Sequence, residues 1–345
     1  MQAALYGLAG LTLSADERDF FRDSDPAGYV LFKRNIETHE QTLALTDALR
    51  SIHGRDGVPI LIDQEGGRVA RIKPPEWPAF PAAEAFARLY ERAPMSAIEA
   101  ARANAQAIAV LMREVGVNVD AMPVLDVRQP GATDIVGDRA YGGEPMQVAA
   151  LGRAALDGLA AGGVVGVIKH MPGHGRALVD SHKTLPVVSA SEEELEVDIE
   201  PFRTLSAAPM GMTCHCVYTA WDSERPGSQS PIVIGEVIRG RIGFDGFLMS
   251  DDIGMNALGG GFAERTRGVI EAGTDAVLHC SGIMAEMVAV ASAAGALGEA
   301  GRERLERAMA GVAGAEERAG YAELAHKRDR LLNYSHDGAR VAGTP

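Results

Sequence analysis

Eight short runs of apolar residues, at 4–8, 29–32, 58–62, 117–121, 164–168, 211–214, 247–249 and 276–278, recur along the chain with helical stretches between them. Several are apolar at nearly every position, which fits strands covered on both faces rather than strands with one wet face. Strands of that kind alternating with helices build a parallel sheet. Eight of them can close it into a (β/α)8 barrel of the TIM type, and an open doubly wound sheet is the alternative. The 345 residues suit one barrel, which takes about 250 residues or more. No shift in composition divides the chain. A single α/β domain is therefore expected over residues 1–324, followed by a basic, polar tail at 325–345. Ser14-x-x-Glu17, Thr38-x-x-Gln41, Ser96-x-x-Glu99 and Ser191-x-x-Glu194 have the spacing of a capping box and predict helix starts.

Charge narrows the partners. The net charge is −14, which repels phosphate backbones and anionic lipid, so neither nucleic acid nor a membrane surface is expected. No run of about 18 uncharged apolar residues predicts a membrane span. The first residues lack the basic region of a secretion signal. Three cysteines, Cys214, Cys216 and Cys280, are too few and too odd in number for a disulfide framework and suit a reducing compartment. A cytoplasmic monomer is the expectation.

In a barrel the chemistry sits at the carboxyl ends of the strands. The polar residues that come after the apolar runs are Asp63-Gln64-Glu65, Asp120 with Asp126, Lys169-His170, His215, Asp251-Asp252 and His279. In the loop over 169–184, Asp180 and His182 flank Ser181. An Asp so placed can take a hydrogen bond from one ring nitrogen and leave the other free to move a proton. Local bonding in a surface loop reads equally well on spacing alone. Strand alternation over 247–252 puts Phe247, Met249 and Asp251 on one face and Leu248, Ser250 and Asp252 on the other. One of the two aspartates should then enter the barrel mouth. A helix cap suits Asp252 better than Asp251.

At these residues the sequence resembles glycoside hydrolase family 3, in its bacterial β-N-acetylglucosaminidase branch. The resemblance rests on Lys169-His170-Met171-Pro172-Gly173-His174-Gly175 with Asp180-Ser181-His182, and on Met249-Ser250-Asp251-Asp252. Asp63-Gln64-Glu65-Gly66-Gly67-Arg68-Val69-Ala70-Arg71, Leu31-Phe32-Lys33-Arg34-Asn35 and Gly137-Asp138-Arg139 extend it. It implies a retaining exo-glycosidase with Asp251 as nucleophile, His182 as general acid/base and Asp180 as its partner. It implies that Asp63, Arg71, Arg139, Lys169 and His170 hold the sugar, and less firmly His215. The implied substrate is a muropeptide fragment ending in β-linked N-acetylglucosamine, recycled in the cytoplasm, with no cofactor and no metal. Lys33, Arg34 or Arg176 could meet an anionic aglycone. Met171 stands where the family usually has Phe, and Ile253-Gly254 where it has Leu-Ser. Neither change removes a reacting group.

Two other readings remain. His170, His174, His182, Asp180 and Asp251 could bind a divalent ion in a metal hydrolase. Cys214-His215-Cys216 lacks the second pair that a zinc site wants and reads better as strand-end core. A barrel that binds sugar without turnover is the third possibility.

Overall fold

A computed structural model gives the fold over residues 1–345, of which 56, 133, 180–183, 315–318 and 334–345 fall outside the described residues. The strands are β1 (Gln2–Gly7), β2 (Pro26–Leu31), β3 (Ile60–Ile62), β4 (Val119–Asp120), β5 (Val165–Met171), β6 (Val187–Val188), β7 (Met210–Thr213), β8 (Val217–Tyr218), β9 (Asp222–Pro226), β10 (Phe247–Asp252) and β11 (Ala276–His279). Eight of them close a parallel barrel in the order β1-β11-β10-β7-β5-β4-β3-β2. These eight coincide with the eight apolar runs.

Alternation along each strand divides the core. Leu5, Val30, Leu61, Val119, Val167, Met212, Phe247, Met249 and Leu278 fill the barrel. Their neighbours Tyr6, Tyr29, Ile60, Ile62, Ile168, Leu248 and Val277 face outward under the helices. Both faces of each strand are thus dry, as the continuous apolar runs require. The helices are α1 (Ala15–Ser24), α2 (His39–His53), α3 (Ala83–Tyr90), α4 (Pro94–Glu114), α5 (Pro145–Ala161), α6 (Glu192–Thr204), α7 (Phe262–Glu271), α8 (Met284–Ala294), α9 (Glu299–Ala310) and α10 (Tyr321–Leu332), with a π-helical segment Val233–Arg241 between α6 and α7. Leu305 and Ala308 of α9 join the cluster inside the barrel. No helix among the described residues is long and apolar enough to cross a membrane.

Three of the four expected caps form. Ser14, Thr38 and Ser191 each accept a hydrogen bond from the backbone N–H three residues on. Ser96 does not cap, because α4 begins two residues earlier at Pro94. Proline at the first helical position lacks only an N–H that would have had no partner. Helix α10 runs across position 325, where the tail is expected to begin. Leu324, Ala325 and Arg328 are buried on it, and Arg328 donates to Asn104 of α4 at 3.2 Å and lies over the Phe80 ring.

A small second sheet, β6-β8-β9, is not foreshadowed in the sequence. Two of its strands have only two residues, too short to show a period. Val188 and Tyr218 of this sheet pack with Ala177, Leu195, Cys214 and Cys216, just outside the barrel mouth.

Candidate active site

A pocket opens at the carboxyl ends of the barrel strands. Val30, Leu61, Met212 and Leu278 supply apolar walls, and Asp63, Arg71, Arg139, Lys169, His170, Asp251 and Asp252 supply charge. Its volume of about 210 Å³ lies below the range of roughly 300–1,000 Å³ of pockets for drug-sized ligands. It has room for one small polar unit. Six of the nine residues singled out from sequence therefore line one cavity: Asp63, Arg71, Arg139, Lys169, His170 and Asp251.

Asp180 and His182 lie outside the described residues. His215 is buried and does not line the pocket. Its Nδ1 lies 2.7 Å from the Ser228 hydroxyl, and its Nε2 lies 3.0 Å from the Asp252 carbonyl oxygen. A carbonyl can only accept, so Nε2 carries the proton and Nδ1 accepts from Ser228. His215 thus supports the strand end that bears the aspartates.

The charges form an alternating ladder. Arg139 donates both arms to Glu65 at 2.7 Å each. Lys169 Nζ lies 2.7 Å from Glu65 and 3.0 Å from Asp63. Arg71 meets the other oxygen of Asp63 at 3.0 Å. Burial alone would raise the Asp63 and Glu65 carboxyls. The Lys169 charge, with Arg71 on one and Arg139 on the other, overcomes it. Glu65 is held down at about 2 and Asp63 below the ordinary carboxylate range. Lys169 is raised although burial opposes its charge, because two carboxylates flank it.

Glu65 is one of the polar residues beyond an apolar run, but the sequence alone assigns it no role. The two-residue period was the available signal, since Asp63 and Glu65 share a face while Gln64 turns away. Gln64 binds the backbone of Arg71 and Ile72 and so fixes the loop that carries Arg71.

Removing Lys169 takes the shared cation away from buried Glu65 and half-buried Asp63, leaving each with a single arginine. Lys169→Met is expected to cost about 3–5 kcal/mol of stability at pH 7, the usual penalty for breaking a buried pair. In the native protein these carboxyls bind fewer protons than in the unfolded chain, so their contribution is complete above about pH 5 and drains as pH falls from about 4 toward 2. In the variant only Arg71 or Arg139 still opposes protonation of each carboxyl, so they take protons at higher pH than in the native protein and the penalty fades. Urea unfolding of both proteins at pH 7 and near pH 4 checks this. A deficit that does not shrink in acid would show that Lys169 matters for packing rather than charge.

Both aspartates of β10 reach the pocket, which departs from strict alternation. The register against β11 shifts between Met249 and Asp252, and such a bulge re-aims the side chains beyond it. Asp251 Oδ1 accepts the Asp252 N–H at 2.8 Å. Asp252 Oδ1 accepts N–H groups of Gly254 at 2.9 Å and Cys280 at 3.2 Å, so it ties a turn to the next strand. Burial, and then the neighbouring Asp251, raise the Asp252 carboxyl.

The Pro172-Gly173-His174-Gly175 turn lies against the segment after β4. A Cβ on Gly175 would stand 1.9 Å from the Val127 carbonyl oxygen, and Gly173 has a φ of +134°. The turn can approach this closely only with glycines at these positions. Of the cations considered for an anionic aglycone, Arg34 is committed to the carbonyls of Leu8 and Cys280, and Arg176 to Asp198 and the Glu194 carbonyl. Lys33 is exposed.

Residues 5–314 match the model of the glycosyl hydrolase family 3 N-terminal domain. The chain belongs to glycosyl hydrolase family 3. A relative called beta-hexosaminidase from Alkalilimnicola ehrlichii is 38% identical over 282 residues, covering 80% of each chain. Another of that name from Xanthomonas axonopodis is 39% identical over 285 residues, covering 80% of this chain and 83% of its own. Among solved structures, NagZ from Neisseria gonorrhoeae in complex with N-trifluoroacetyl-D-glucosamine superposes with a TM-score of 0.83 at 28% identity, covering 96% of this chain and 97% of the other. This family 3 barrel is a glycoside hydrolase.

Proposed function

We propose that this protein is a retaining exo-β-N-acetylglucosaminidase in which Asp251 is the nucleophile and His182 the general acid/base. The observation that carries the proposal is the placement of Asp251 in a small charged pocket beside Lys169 and His170. Family membership and relatives called beta-hexosaminidase support the same sugar. Asp63, Arg71, Arg139, Lys169 and His170 offer donors and acceptors from several walls, as orienting a sugar ring rich in hydroxyls requires.

Attack by the Asp251 carboxylate on the anomeric carbon forms an ester bond to the sugar as the bond to the aglycone oxygen breaks. His182 gives its proton to that oxygen, then takes one from the water that releases the sugar. Two displacements on opposite faces retain the anomeric configuration. Asp180 holds His182 in the required orientation.

The natural substrate in this reading is a muropeptide fragment ending in N-acetylglucosamine, handled in the cytoplasm. Three free, buried cysteines support a reducing compartment. In this reading the protein works as a monomer.

Release of an aryl group from an aryl β-N-acetylglucosaminide, unchanged by EDTA, is the expected result for the wild-type protein. Hydrolysis of an N-acetylglucosaminyl anhydro-muropeptide then tests the aglycone. Turnover that EDTA stops would move the chemistry to a metal hydrolase, and binding without turnover would make the chain a sugar receptor.

A further inference from the structure

One buried carboxylate takes no part in the two displacements at Asp251. Asp126 comes after β4, is fully buried and stands behind the pocket wall. Its Oδ2 lies 2.7 Å from Nδ1 of His170. Its Oδ1 accepts the backbone N–H of His170 at 3.2 Å and of His174 at 2.7 Å. An ionised carboxylate only accepts, so Nδ1 of His170 carries the proton. Nε2 is then the lone-pair nitrogen of a ring that lines the pocket.

We propose that Asp126 is the positioning residue of this site, fixing the tautomer and tilt of His170 with one oxygen and the head of the loop leading to His182 with the other. The Val127 carbonyl, against which Gly175 rests, belongs to the same segment, so the wall and the loop head share one support. Burial alone would raise the Asp126 carboxyl. The His170 ring, by its charge when protonated and its hydrogen bond, with the His174 ring and N–H, brings it down to about 2. It therefore stays an acceptor across the working pH range. The loss of turnover expected of Asp126 variants rests on the β-N-acetylglucosaminidase reading, whereas the tautomer does not.

Asp126→Asn separates the two roles. The amide oxygen must serve the two backbone N–H groups, so the amide NH₂ faces His170 and drives its proton from Nδ1 to Nε2. Nitrogen-15 NMR is expected to find Nδ1–H in the wild type and Nε2–H in the variant. On the aryl N-acetylglucosaminide, kcat/KM should fall about 10- to 100-fold, mostly through KM, as when one hydrogen bond to a charged group is lost. In a His170→Ala background the same change should cost almost nothing more, because its effect passes through His170. Asp126→Ala also frees the His174 N–H and should lower kcat in either background.

A neutral wild-type His170 with its proton on Nε2 and none on Nδ1 overturns the proposal, even if no variant folds. So does an Asp126→Asn protein with wild-type kinetics, or losses that simply add in the double variant. A wild type with no turnover would instead sink the functional reading and leave the spectrum to judge Asp126.

Discussion

Asp251→Ala is expected to lower turnover of an aryl β-N-acetylglucosaminide by roughly 10⁴ or more, the scale seen when an enzyme loses its nucleophile. The fold should survive. Asp251 is half-buried at the rim of β10, and among the described residues the carboxylate accepts the N–H of Asp252 beside it. Thermal unfolding of the variant should stay within a few degrees of the wild type. The decisive measurement adds azide. A small anion can enter the space left by the carboxylate and attack from the same face, so the variant should yield the α-glycosyl azide while the wild type yields the β-sugar. A variant that keeps a tenth of its activity would assign the nucleophile elsewhere. Asp252 would be the next candidate, since it lines the same pocket.

His182→Ala is expected to show a loss that depends on the leaving group. A positioned acid contributes typically about 10²–10⁴ in rate. That factor should disappear for alkyl or sugar aglycones, which need a proton to depart. A dinitrophenyl aglycone departs without one, and its first displacement should proceed at nearly the wild-type rate. The second displacement still needs a base, so the glycosyl-enzyme should accumulate and appear as a burst. Intact-protein mass spectrometry would then record the mass of one sugar residue on the chain. Equal losses for all aglycones would remove His182 from the proton path.

The barrel was legible because its signal is repeated. Eight apolar runs with helical stretches between them leave few architectures open, and each run marks a strand dry on both faces. The site was legible in part because strand ends carry its chemistry. Asp63, Lys169, His170 and Asp251 stand out as the polar residues immediately beyond an apolar run. Arg71 and Arg139 came only from the resemblance, since each reaches the pocket from a loop whose path no periodicity gives. Other features depend on the third dimension. Glu65 matters through Arg139, 74 positions away, and Asp126 through a histidine 44 positions on. Asp252 could not be placed correctly by alternation, because the register shift in β10 depends on pairing with β11. The start of α4 was missed because Pro94 outweighs the cap offered by Ser96. Asp180 and His182 lie outside the described residues, so the sequence is the ground for the roles proposed for them.

The ladder Arg139–Glu65–Lys169–Asp63–Arg71 also constrains how this pocket can be altered, by selection or by an engineer. Each inner rung answers two neighbours of opposite sign. Neutralising an inner rung takes a partner from two opposite charges at once, and the protein loses stability before it gains a new preference. Exchanges that swap two adjacent rungs together keep the balance. New sugar specificities should therefore arise by paired substitutions along this line, or at the apolar walls formed by Met212 and Leu278, where side chains can change one at a time.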